Sequence, residues 1–408
     1  MRCATRTHAT RIALAASVLA ALAGNASADV ITDWNLRAGE LIVESKLGTP
    51  PAMRAMALVQ TAVYEAANAI TRRYPTRGLQ LETTASVDAA VAAANHATLG
   101  KLIPSQQASI DGAYQAALEK IADGSAKTAG IAVGQKAAAA ILAARADDGA
   151  AAAEAYRPQT SAGVYVPTAL PAVPQWPQRK PWLMTRADQF RPASPPALTS
   201  EQWARDYNEV KSFGGKSSRT RTTEQTDIAR FWEATLPPIY HGLVRTVAAM
   251  PGRDLTRNAR LFAAVTQACD DAMIAVFDAK YHYGFWRPIS AIRNGDIDGN
   301  AATERDASWT PFIDTPMHPE YPCAHCIQAA TVGAVLQAEV GNGAQPTWTT
   351  TSSTAKGAAR RWATLDEFVQ EVKDARVYDG VHYRFSVEAG AAMGRQIGAL
   401  AASRLLGD

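Results

Sequence analysis

Four cysteines in 408 residues are too few for a fold pinned by disulfides. Cys3 sits in an apparent leader, which leaves Cys269, Cys323 and Cys326, an odd number for a periplasmic pairing scheme. Alternation of β-branched residues is scarce, which argues against a sheet-built core. No apolar run after the leader approaches the ~20 residues of a membrane span. Charge of one sign is missing as well. Without the leader's Arg2, Arg6 and Arg11, 38 Lys+Arg face 38 Asp+Glu, so no electrostatic case exists for nucleic acid or an acidic membrane. Gly214-Gly215-Lys216-Ser217-Ser218 lacks the leading glycine and preceding buried strand of a phosphate loop and is a plain turn.

What is present begins with residues 1–28, a basic start, an apolar run from Ile12 to Leu22 and Ala26-Ser27-Ala28, the pattern of a cleaved secretory signal. The mature chain is then secreted or periplasmic. Helical periodicity runs over Pro51–Ile70, Ser86–Ile103, Ser105–Ala122 and Ser125–Ala144, three of these opened by a serine suited to an N-cap. Tyr156–Pro196 is too rich in proline for regular helix and reads as a crossing anchored by Tyr165, Trp176 and Trp182. Helices resume at Ser200–Phe213, Thr223–Glu233, Ile239–Met250 and Leu255–Lys280. The expected fold is all-α, two packed bundles of four-helix type with a long proline-rich connection. Residues 29–150 form the first bundle, 151–198 the connection and 199–408 the catalytic domain.

Chemistry concentrates in the last third. Lys280 to Pro288 carries two cations seven residues apart, which on a helix is two turns and nearly one face. Met317 to His325 is a proline-bounded approach to the apolar helix Cys326–Val340, so the amides near Cys323, Ala324 and His325 fall at a helix start, where an anion is favoured. Ala375 to His382 adds Arg376 and a second histidine around the Asp379-Gly380 turn. A lone lysine, arginine or histidine is usually a solvated or structural group. Together, two arginines, a lysine, a helix N-terminus and two histidines make an oxyanion site with an acid/base pair. Asp271, on the long helix before Lys280, is a candidate to orient one histidine, against the blander role of a solvated or salt-bridged carboxylate.

In kind, order and spacing these pieces resemble the three-part signature of the vanadium-dependent haloperoxidase and type 2 phosphatidic-acid phosphatase superfamily, Lys-x6-Arg-Pro, Pro-Ser-Gly-His and Ser-Arg-x5-His-x3-Asp. The wording from Tyr283 to Arg293 is closest to the bacterial haloperoxidase-like branch. The resemblance implies His325 and His382 as catalytic residues and Lys280, Arg287, Cys323, Ala324 and Arg376 as oxyanion binders. It also implies vanadate held by His382 as axial ligand, or else phosphate as the substrate group of a phosphatase acting through phosphohistidine on His382. The partner is a small-molecule substrate. Cys323 stands where the family has serine, Ala324 where it has glycine, and Ser386 where it has the aspartate that supports the second histidine. A free thiol at 323 would be oxidised by bound peroxide, which argues against an efficient peroxidase. Cys323-Ala324-His325-Cys326 also has the C-x-x-C spacing of a redox pair, here better suited to a regulatory disulfide than to an oxidoreductase, because no buried strand precedes it. A non-catalytic phosphate or vanadate binder is the remaining alternative.

Overall fold

The computed structural model describes residues 29–75 and 84–407, so the leader expected at 1–28 lies outside the described residues. The helices are α1 (Val30–Glu44), α2 (Thr49–Thr71), α3 (Val87–Leu102), α4 (Gln107–Leu118), α5 (Ser125–Ala144), α6 (Glu201–Phe213), α7 (Thr223–Trp232), α8 (Pro237–Ala248), α9 (Leu255–Tyr283), α10 (Pro288–Arg293), α11 (Ala324–Val340), α12 (Leu365–Tyr378) and α13 (Arg384–Ala401). One short antiparallel hairpin, β1 (Trp348–Thr351) and β2 (Ala359–Trp362), interrupts an otherwise helical chain. Among the described residues no helix is long and apolar enough to cross a membrane.

Capping accounts for several boundaries. Ser86 and Ser200 accept from the backbone amides of Ala89 and Trp203, and Thr222 and Thr364 close full capping boxes on Gln225 and Glu367. The expected serine cap at 105 is replaced by a proline-led 3-10 turn, and Ser125 is the first residue of its helix rather than the cap. α1 was not anticipated: its buried face, Ile31, Trp34, Ala38, Leu41 and Ile42, starts at the supposed cleavage point, and Asp29 caps it.

Helices α2, α3 and α5 pack on one another, and α2 also lies along α9. α9 is the shared strut, because its other sides meet α11 and α13. Alanine and glycine set the spacing. A methyl on Gly394 of α13 would stand 2.3 Å from the Ile327 carbonyl of α11, so these two backbones approach too closely for any side chain. A single apolar cluster runs from Ile31 to Ala401.

The proline-rich crossing is fixed by buried charge. Arg179 lies over Trp176 and pairs with Asp148 and Asp270, both buried, while Trp182 packs under Arg145 and gives its indole N–H to Asp270. Such pairs define geometry more than they add stability. Asp271 belongs to the same anchor: its carboxylate accepts from the backbone amides of Trp182, Leu183 and Met184 at 2.6–2.9 Å. It therefore holds the crossing and orients no histidine, correcting the expectation for that residue.

Candidate active site

The two cations of the first motif do not share a helix. α9 stops at Tyr283 because Gly284 adopts the left-handed conformation (φ 58°), and Arg287 is the N-cap of α10. They converge because the intervening loop is clamped on two sides. Tyr165 N donates to Gly284 O, Trp286 N to Gly163 O, and Glu320 N to Phe285 O. Behind the loop Phe285 and Trp286 pack with Trp203, Tyr383 and Phe385, an aromatic wall that excludes water from the Arg287 side.

Each cation is held by backbone carbonyls rather than fully neutralised. Lys280, completely buried, donates to Pro319 O (3.0 Å) and Glu320 O (2.7 Å), leaving one ammonium proton uncommitted. Arg287 donates to the carbonyls of His318 and Val381 and, through its other terminal nitrogen, to His318 Nδ1 at 2.9 Å. Arg376, near the end of α12, bonds Trp232 O and Asp379 (2.6 Å), while its Nε is buried without a partner among the described residues. Burial, then the neighbouring Arg287, pulls the Lys280 ammonium well below its usual range, and burial lowers Arg287 to about 10. Burial is the main cause of both shifts; the neighbouring Arg287 adds to that of Lys280, and Glu320 opposes that of Arg287.

His382 follows the α12 terminus, where Gly380 (φ 78°) turns the chain towards α13. Its Nδ1 lies 2.6 Å from Glu320 Oε1, and the same oxygen accepts from Tyr383 N at 3.1 Å. With the carboxylate as acceptor the proton sits on Nδ1, so Nε2 keeps its lone pair; it lies 3.4 Å from Arg287 Nη1. Burial, followed by Arg287 and Lys280, holds His382 neutral, well below the ordinary histidine value. Burial likewise pushes Glu320 up to about 7, opposed by Lys280 and Arg287. Glu320 was missed in the sequence because the family carries the supporting acid four residues after the histidine. Ser386, at that position, is 3.5 Å from Nδ1 and is at most a weak auxiliary.

His325, in the first turn of α11, is 7% exposed and its Nε2 has no partner among the described residues. Burial first, then Arg376, keeps it unprotonated. Cys323 departs from expectation. It is joined to Cys326 by a disulfide, and its sulfur accepts from Cys326 N, so it caps α11 and has no S–H to offer an anion. The oxyanion donors at this helix start are therefore the backbone amides of Ala324 and His325, which a first turn leaves unpaired internally. His318, which no part of the three-part signature uses, also lines the pocket. In the structure it also buttresses Arg287, and because arginine can only donate, His318 Nδ1 accepts and Nε2 carries the proton.

His325, His382, His318, Ala324 and Arg376 open on one cavity of about 490 Å³, with Lys280 and Arg287 directly behind His382. Cationic and neutral N–H donors, with an imidazole lone pair at the centre, suit a tetrahedral or bipyramidal oxyanion such as vanadate or phosphate. Among the described residues no cluster of three His, Cys, Asp or Glu side chains suits a bare metal cation.

Fold and site together define a double helical-bundle protein with a buried oxyanion cradle. Residues 260–406 match the family described as VCPO second helical-bundle domain. Vanadium chloroperoxidase of Curvularia inaequalis is 30% identical over 197 residues, a match spanning 40% of this chain and 32% of that enzyme, about a third of its length. A solved bacterial vanadium-dependent iodoperoxidase superposes with a TM-score of 0.78 at 23% identity, covering 92% of this chain and 96% of that one. An apo bacterial vanadium-dependent chloroperoxidase gives 0.68 at 17% identity, covering 88% and 94%. Residues 260–406 thus match the second helical-bundle domain of that family, the resemblance to the vanadium haloperoxidase superfamily stands on this sequence match, and the chain as a whole shares the fold of the two bacterial structures.

Proposed function

We propose that the chain is an exported, vanadate-holding peroxidase that oxidises halide with hydrogen peroxide. The observation that carries this is His382, a cavity-lining ring whose Nδ1–H is committed to Glu320 and whose Nε2 lone pair lies 3.4 Å from Arg287 Nη1. His382 Nε2 would hold vanadate, with Lys280, Arg287, Arg376 and the Ala324 amide offering donors to its oxygens. Vanadate, when bound, supplies the Lewis-acid centre that activates peroxide. Lys280 and Arg287 stabilise negative charge in a site where the aromatic wall limits screening. His325, held neutral by burial and unpartnered at Nε2, would take up and return a proton at that nitrogen.

The disulfide removes the objection raised by a thiol beside peroxide, because Cys323 is already oxidised. Hydrolysis of phosphate monoesters through phosphohistidine on His382 uses the same cradle. The leader at residues 1–28 supports export. The test measures iodide, bromide and chloride oxidation with vanadate and peroxide beside phosphate-ester hydrolysis, with His382→Ala as control. Halide oxidation lost in the variant supports the proposal. Hydrolysis alone selects the phosphatase, and oxyanion binding without either activity selects a binder.

A further inference from the structure

The start of α11 carries more redox chemistry than oxyanion binding needs. Cys323 and Cys326 close a disulfide across one helical turn, their Cα atoms 5.4 Å apart, and both are fully buried. Between them stand Ala324 and His325, which line the cavity. The backbone of Cys323 has no freedom to answer a change at its sulfur. Its N–H donates to Ser386 O at 3.2 Å, and α13 presses so close that a methyl on Gly390 would stand 2.5 Å from Cys323 O. Opening the disulfide therefore moves side chains and leaves the helix start in place.

In the disulfide, Sγ of Cys323 is neutral and accepts from Cys326 N. Opened, the same atom becomes a thiol at a helix N-terminus whose first turn holds no carboxylate, with the buried Arg376 on the adjoining cavity wall. Helix dipole and cation both favour its ionisation. A thiolate here and an oxyanion on the Ala324 and His325 amides compete for one source of positive charge, and they repel each other where solvent screens poorly. The reduced site carries its own anion.

Resting on the oxyanion cradle and the peroxide chemistry proposed above, we infer that Cys323 and Cys326 form a redox latch: as thiols they exclude the oxyanion, and hydrogen peroxide arms the site by joining them. Every chain is synthesised with both cysteines as thiols, so one oxidation arms each molecule and no reductant is needed. The Cys323 thiolate attacks one peroxide oxygen, the O–O bond breaks, and the departing hydroxide takes up the proton that Cys323 released on ionising. The Cys326 sulfur then displaces the hydroxyl of the resulting sulfenic acid, which leaves as water with the Cys326 proton. Two thiols give up two electrons and two protons, one peroxide accepts them, and two water molecules form.

Calorimetric titration with inorganic phosphate, which unlike vanadate does not oxidise thiols, tests the latch. The samples are oxidised wild type, wild type reduced with a phosphine and freed of it under nitrogen, Cys326→Ala, in which Cys323 stays a thiol, and the double variant Cys323→Ser, Cys326→Ala. Thiols are counted in each after unfolding. Oxidised wild type should bind at least about tenfold more tightly than reduced wild type and than Cys326→Ala. One equivalent of hydrogen peroxide should restore the reduced wild type with loss of two thiols, and the phosphine should leave the double variant unchanged. Binding by the reduced wild type or Cys326→Ala as tight as by the oxidised protein, or two thiols lost without recovery of affinity, overturns the latch and leaves the oxyanion cradle standing. Phosphate bound by none of the four defeats the cradle and the latch together.

Discussion

Glu320 Oε1 and His382 Nδ1 meet at 2.6 Å across 62 residues of chain, joining the approach to α11 to the turn before α13. The contact decides which nitrogen of His382 faces the cavity with a lone pair. With Glu320 protonated, its O–H donates to Nδ1 and the ring proton moves to Nε2. With Glu320 ionised, Nε2 is free.

Glu320 titrates at about 7, so the activity of wild-type protein should rise as pH climbs through about 7. Glu320→Gln should lose on the order of 10–100-fold in kcat/KM and with it that pH limb. Stability should move oppositely. The folded carboxyl holds its proton above the unfolded value of 4.5, so its contribution is fully present below about 4.5 and is lost as pH rises to about 7. The difference is about 3 kcal/mol at most. Melting temperatures of both proteins from pH 4 to 8 check the sign.

Asp379 is the only carboxylate hydrogen-bonded to Arg376 among the described residues, and both are buried. Asp379→Ala leaves a buried guanidinium uncompensated and should cost about 3–5 kcal/mol in denaturant unfolding. Burial also raises Asp379 to about 7, against the pull of Arg376.

The Cys323–Cys326 disulfide protects position 323. Peroxide treatment should leave it unchanged in oxidised protein, re-form the disulfide through a sulfenic acid after reduction, and carry Cys323 on to sulfinic acid only in Cys326→Ala, as read by peptide mass spectrometry. Closing so short a loop contributes about 2 kcal/mol to stability. The double variant Cys323→Ser, Cys326→Ala restores a hydroxyl at the helix cap and should bind orthovanadate several-fold more tightly.

Gly394→Ala tests the helix contact that supports α11. The added methyl meets the Ile327 carbonyl at 2.3 Å, a backbone atom that cannot step aside. The overpacking cost of about 1–3 kcal/mol outweighs the gain of roughly 1 kcal/mol in helix propensity, so thermal stability should fall.

Much of this was legible in the chain. Lys280, Arg287, Ala324, His325, Arg376 and His382 are named by motif spacing; Ala324, His325, Arg376 and His382 line one cavity, and Arg287 stands 3.4 Å from His382 without lining it. α6, Glu201–Phe213, fills the helix expected over Ser200–Phe213. What escaped depends on long-range contact. Glu320 acts through a chain crossing that local spacing does not encode, whereas Asp271, well placed in sequence, is consumed by three backbone amides of the connecting segment. The break at Gly284 hid in a pattern that a continuous helix satisfies equally well. The C-x-x-C spacing offered Cys323 and Cys326 as a disulfide as well as a free thiol, and their Cα separation of 5.4 Å decides for the disulfide.

The most direct measurement is a crystal structure with orthovanadate, wild type beside His382→Ala. Vanadium within bonding distance of His382 Nε2, its oxygens on Lys280, Arg287, Arg376 and the Ala324 amide, and absent from the variant, is the expected result. Vanadate bound elsewhere, or retained unchanged without the His382 imidazole, would contradict the assignment of this cavity as the oxyanion site.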